Sequence, residues 1–258
     1  MEAATVTNEF ADIGWDSIVF NNRIAQFIIE NGYGYKTDSI PGESIPMIQG
    51  LIKGDVDVDM EMWVQNHQEA YDSGIQSGNL IDLGTNFNDN TQGLYVPTYV
   101  IKGDPARGIK PMAPDLKSID DLPKYWELFR DPEDPQKGRI LGAVPGWDAD
   151  KILSKKMETY DLNKTYNLFR PGSSAALDSS LVAAYEKGEP WLGYNWEPTW
   201  IVGKYDLTLI EEPPYNKEQW DKDYGCAFPS VDVNIVIHKD LPQKAPEVVE
   251  FLKKFSLN

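Results

Sequence analysis

Eight residues, Asp55-Val-Asp-Val-Asp-Met-Glu-Met62, alternate acidic and apolar side chains without a break, and Trp63 follows them. A period of two fits the pleat of a β-strand and no helix. Val56, Val58, Met60 and Met62 therefore line one face, the carboxylates line the other, and the strand ends beside Trp63. Ahead of it, residues 5–15 read as a strand, and Asp16 or Ser17 is placed to cap a helix running to about residue 31. Ile18, Ile24, Phe27 and Ile28 give that helix an apolar stripe, and Gly32 sits where a helix stops. A strand over 35–40, a helix over 44–53 stopped by Gly54 and, after Trp63, a short helix carrying His67 and Tyr71 complete an alternation of strand and helix. That alternation predicts a parallel α/β sheet.

The pattern then recurs. A strand over 93–102, a helix near 118–129, a strand over 139–144, the turn Pro145-Gly-Trp147, a helix over 149–160, a strand over 166–169, a helix over 173–187 closed by Gly188 and a strand over 191–196 form a second α/β unit. A last strand, 231–238, and a helix over 245–255 return the chain to the first. Two lobes are expected, 1–98 with 213–258 and 99–212, with a ligand cleft between them.

Four tryptophans stand where a strand ends or the following loop begins: Trp15, Trp63, Trp147 and Trp196. In open α/β sheets ligands bind beyond the carboxyl ends of the strands, so two indoles from each lobe are expected to meet there. The indole face attracts a quaternary cation through its ring quadrupole, at about 0.5 to 2 kcal/mol per contact. Core or interface packing is the ordinary alternative for any one of them. Trp126, Trp191 and Trp220 fit packing roles better, and Trp200 fits either.

Pro145-Gly-Trp-Asp-Ala149 runs straight into a helix, so the amides of Asp148 and Ala149 are donors at its positive end, suited to a carboxylate. The Asp148 side chain opposes this if it caps the helix itself. His67 follows Trp63 by one helical turn and can donate to a ligand carboxylate, although a lone histidine is as often a surface or core residue.

The 41 acidic against 24 basic residues, a net charge of −17, argue against nucleic acid or an anionic membrane as partner. The single cysteine, Cys226, forbids an intramolecular disulfide. There is no run of about 18 apolar residues to span a bilayer and no intact signal peptide in Met1 to Asn8, so an exported protein would have lost its leader ahead of Met1. Metal-binding His pairs, nucleophile elbows, phosphate loops and Cys/His clusters are missing, so neither metal nor cofactor is expected. Acidic residues beside aromatics, such as Asp16, Glu61 and Glu197, are too common in an acidic chain to mark a glycosidase.

Four segments, Gly-Trp-Asp-Ser (14–17), Trp63 with His67 and Tyr71, Pro-Gly-Trp (145–147) and Tyr-x-Trp-x-Pro-x-Trp (194–200), together resemble the substrate-binding proteins of ABC transporters for glycine betaine, proline betaine and choline. The resemblance runs over nearly the whole chain. It implies a two-lobed α/β fold of the periplasmic-binding-protein, venus-flytrap kind (type II), and no enzymatic activity. It further implies a tryptophan box of Trp63, Trp147 and Trp196, with Trp15 as a fourth wall, and a carboxylate site of His67 with the amides of Asp148 and Ala149. An ABC permease is the implied partner, the protein is expected to be a monomer, and the location is periplasmic or extracellular and membrane-associated. Ser17 stands where choline-type members carry an acid, which favours a betaine. Asp148 and Glu197 add negative charge and favour a cation without a carboxylate, such as choline, or the sulfonium dimethylsulfoniopropionate. A sugar-binding module, or a small-molecule enzyme on the same fold, is the alternative from another class.

Overall fold

The computed structural model describes residues 6–256; the expected strand start at Thr5 lies outside them. The chain begins with β1 (Thr7–Asp12), α1 (Asp16–Ile28), β2 (Lys36–Pro41), α2 (Ser44–Lys53), β3 (Val58–Trp63), α3 (Gln68–Gln76) and β4 (Leu80–Phe87). It continues with β5 (Thr91–Pro97), α4 (Thr98–Lys102), β6 (Gly138–Leu141), α5 (Asp148–Thr159), β7 (Tyr166–Phe169), α6 (Ser174–Lys187), β8 (Gly193–Glu197), α7 (Trp200–Lys204), β9 (Leu207–Leu209) and α8 (Lys217–Asp223). It ends with β10 (Val233–His238), α9 (Leu241–Lys244) and α10 (Pro246–Leu252).

These elements form two compact units, Met1–Asn90 with Ser230–Asn258, and Thr91–Pro229. The boundaries expected at 98/99 and 212/213 both fall inside the second unit. β5 belongs there because it pairs along its whole length with β8 and β9. The stretch before 229 belongs there because α5 holds it: the Lys156 ammonium donates to the Glu212 carboxylate and to the Cys226 carbonyl, and the Tyr160 hydroxyl donates to Glu212 at 2.9 Å.

The first unit carries one five-stranded sheet in the order β2-β1-β3-β10-β4. β1 is parallel to β2 and β3, whereas β10 runs antiparallel between β3 and β4. The second sheet, β7-β6-β8-β5-β9, has the same design, with β5 antiparallel to β8 and β9. Where the alternation predicts a parallel sheet, both sheets are mixed. The antiparallel strand in each comes from a part of the chain distant in sequence and needs no helical crossover to its neighbours, which a parallel strand would.

Local chemistry accounts for most of the elements. α1 passes into a wider turn at Ile29–Tyr33 and stops at Gly34, whose φ of 75° a glycine adopts freely; the stop expected at Gly32 is two residues early. The expected 93–102 strand breaks at Pro97, after which 98–102 is helical. The helix expected near 118–129 shrinks to a 3₁₀ segment at Ile119–Lys124 containing Pro123, which denies it a backbone donor. β3 is buried on both faces, its acidic side included: Glu61 is 1% exposed and Asp59 3%. Phe10, which pairs with Val58 across the sheet, and Val58 and Met60 are fully buried in the core. Among the described residues, no helix is long and apolar enough to cross a membrane.

Candidate functional site

In the second unit, β6 and β8 are parallel and deliver Trp147 and Trp196 to the same edge of their sheet. The two indoles meet edge to face, with centroids 5.4 Å apart and planes at 87°. Tyr194, two residues before Trp196 and so on the same face of β8, stacks on it at 5.8 Å and 25°. The tyrosine ring is held from behind by its hydroxyl, which donates to Gln92 Oε1 at 2.9 Å. This is the geometry aromatic quadrupoles prefer, and it turns two indole surfaces at right angles to each other.

The turn before Trp147 depends on Gly146, whose φ of 99° is costly for any residue with a Cβ. The Trp147 amide is spent on the Val144 carbonyl at 3.1 Å. Helix α5 begins at the next residue, so Asp148 and Ala149 occupy its first turn and not its cap; Trp147 is the cap residue and gives no side-chain cap hydrogen bond. Arg170 Nε reaches Asp150 Oδ1 at 2.6 Å and offsets one of the two first-turn carboxylates. Glu197, expected to add negative charge beside Trp196, sits on the alternate side of β8 and accepts from the Tyr95 hydroxyl at 3.4 Å. Its charge therefore faces away from the indole pair.

In the first unit, Trp15 caps the start of α1 just past β1, and Trp63 ends β3 beside it in the sheet. Trp63 packs edge to face on Phe87 at 6.0 Å. Its carbonyl accepts from the His67 amide at 3.3 Å, so His67 stands one turn later at the start of α3. The indole Nε1 of Trp15 donates to Glu61 Oε2 at 2.7 Å; Ser17 Oγ donates to the same oxygen at 2.9 Å, and Asn21 Nδ2 to Oε1 at 2.6 Å. Burial pushes the Glu61 carboxyl up to about 7, against those three donors. Burial also raises neighbouring Asp59 to about 6, although the Glu61 amide and the nearby His67 pull it down.

The sequence pattern puts the four indoles at or just past strand ends and His67 one turn after Trp63, but does not reveal the Glu61–Asn21 pairing or the support from Tyr194. The one sequence signal for Glu61 is an acid at the same parity as Trp63, two residues before it. Among the described residues no group of three or more His, Cys, Asp or Glu side chains could hold a metal ion.

The family of substrate-binding domains of ABC-type glycine betaine transport systems, OpuAC, matches residues 7–258. A trimethylamine N-oxide-binding protein of Pelagibacter ubique (strain HTCC1062) is 24% identical over 247 residues, which span 95% of this chain and 76% of that protein. Among solved structures, an ABC-transporter choline-binding protein in complex with choline superposes with a TM-score of 0.76 at 20% identity, covering 97% of this chain and 78% of that one. The closed, glycine betaine-bound lactococcal OpuAC gives 0.73 at 21%, covering 97% and 84%. Those likenesses establish the α/β fold of periplasmic binding proteins of the second structural type. The chain belongs to the OpuAC family, the substrate-binding domains of glycine betaine-type ABC transporters, and is a binding protein and not an enzyme.

Proposed function

We propose that this protein binds a small quaternary ammonium compound of the betaine type and hands it to the permease of an ABC transporter, working as a monomer in the periplasm or at the outer face of the cell. The single observation that carries the ligand class is the perpendicular Trp147–Trp196 pair backed by Tyr194. A trimethylated cation has no N–H to donate and carries a diffuse charge. It is recognised by π faces and apolar contact, at about 0.5 to 2 kcal/mol per ring and more when desolvated. Three or four such contacts support binding on the order of micromolar.

In this reading Trp15 and Trp63 of the first unit also present indoles to an onium group. His67 and, at the start of α5, the amides of Asp148 and Ala149 are the proposed donors for a carboxylate where the ligand has one, and a helix start favours an anion. The relative named for trimethylamine N-oxide supports a compact trimethylated head group. Choline and dimethylsulfoniopropionate present the same kind of onium group and are the alternative cargoes.

Calorimetry with glycine betaine, proline betaine, carnitine, choline, dimethylsulfoniopropionate and trimethylamine N-oxide tests the proposal. Binding of at least one, with a change in tryptophan fluorescence, is expected. Binding of a monosaccharide or a short peptide with no response to any onium compound would refute it.

A further inference from the structure

Glu61 is a buried carboxylate with no cationic side chain among its hydrogen-bond partners. Its acceptors are filled by an indole, a hydroxyl and an amide, all neutral. The nearest charge on its own strand face is a second carboxylate, Asp59, whose Oδ1 accepts from the Glu61 amide at 2.9 Å. The lysine that reaches this strand region, Lys244, is committed to Asp57 at 2.7 Å.

A purely structural role would not need a charge here. Glutamine has the same shape and would accept from Trp15 and Ser17 through its oxygen. The Oδ1 of Asn21 has no hydrogen-bond partner, so turning that amide would present an acceptor to the new NH₂ group. Burying an unpaired charge where a neutral isostere fits is costly, and the free protein meets that cost by holding a proton on Glu61 up to about pH 7; the placement points to a positive charge, arriving from outside the chain, that would keep the carboxylate ionised.

We infer that Glu61 is a specificity-determining residue of the onium site, whose carboxylate behind the Trp15 indole makes that aromatic wall select ligands of net positive charge. This rests on the onium-binding reading above and, among the cargoes that reading names, favours choline over the zwitterionic betaines. Two effects act together. The carboxylate attracts the cation directly through a low-dielectric interior. By accepting the indole N–H it also pushes electron density onto the Trp15 ring and strengthens the ring's negative face. A zwitterion gains less, because the same field repels its carboxylate. Trp63 lies two residues beyond Glu61 on the same face of β3 and within reach of that field.

The test compares choline with glycine betaine on the wild type and on Glu61→Gln, by calorimetry at about pH 8.5, where the carboxyl is ionised, and one salt concentration, with near-UV circular dichroism to confirm the fold. The variant should lose about tenfold in choline affinity, while glycine betaine changes by no more than about threefold. An unchanged ratio between the two ligands, whether both hold or both fall equally, would overturn the inference and leave Glu61 as a support for Trp15. So would a wild type that takes glycine betaine and refuses choline. A wild type that binds no onium compound at all would instead refute the underlying reading of the site.

Discussion

Trp147→Ala removes one indole of the perpendicular pair and offers the cleanest measure of what that pair does. The ring is 6% exposed and packs on Trp196 at 5.4 Å, so truncation has two separable costs. Stability falls by about 3 to 5 kcal/mol for a buried tryptophan, including about 0.5 to 1.5 from the edge-to-face contact. Ligand binding loses a further cation contact and its packing, about 1 to 3 kcal/mol, or roughly 5- to 150-fold in Kd. Trp220→Ala is the matched control. That indole is equally buried in the same unit, at 7% exposed, and packs on Phe228 at 5.4 Å and Tyr224 at 4.8 Å. Chemical denaturation should show similar losses for both variants, whereas calorimetry with the tightest onium ligand should show weaker binding for Trp147→Ala alone. An affinity within about twofold of wild type for Trp147→Ala, or an equal loss for Trp220→Ala, would refute the reasoning.

Three other consequences are measurable. The Glu61 carboxyl, lifted from 4.5 to about 7 by burial, makes the folded state hold an extra proton between those values. Its contribution to stability is therefore full below pH 4.5, falls as pH rises and is gone above 7, a change on the order of 3 kcal/mol. The wild type should lose more stability than Glu61→Gln between pH 5 and 8 in ligand-free denaturation, and parallel curves would contradict this. Lys156→Met strips the buried Glu212 carboxylate and the Cys226 carbonyl of their shared donor and should cost about 3 to 5 kcal/mol. The double variant Lys156→Met/Glu212→Gln should recover part of that loss, and additive losses would show the pair uncoupled. His67→Ala should weaken glycine betaine by about 1 to 3 kcal/mol and leave choline within a few tenths, since only the former has a carboxylate for it to hold; equal effects on both in calorimetry would remove His67 from the carboxylate site.

What the chain declares locally was legible without coordinates. The alternation that begins at Asp55 becomes a strand over Val58–Trp63 because side chains on a pleat must alternate, and Gly54 and Gly188 close α2 and α6 because a left-handed residue there favours the absence of a Cβ. The helix start after Pro145-Gly-Trp147 was readable for the same kind of reason. Three matters were settled by tertiary structure alone. Which strands are neighbours is one: β10 lies between β3 and β4, and β5 between β8 and β9, so the sheets are mixed and the boundary between units falls at 90/91 and 229/230. Burial is another: nothing in a row of aspartates and glutamates says that both faces of β3 are covered, because burial is a property of what packs against a strand and not of the strand. Partnership is the third. Trp15 and Glu61 are 46 residues apart in the chain and 2.7 Å apart in space, and Glu197 turns from Trp196 because β8 alternates sides while the chain order places the two together. Local periodicity is set by backbone geometry that every residue carries, whereas the charge and aromatic environment of the site comes from contacts between distant segments that only the folded chain brings into register.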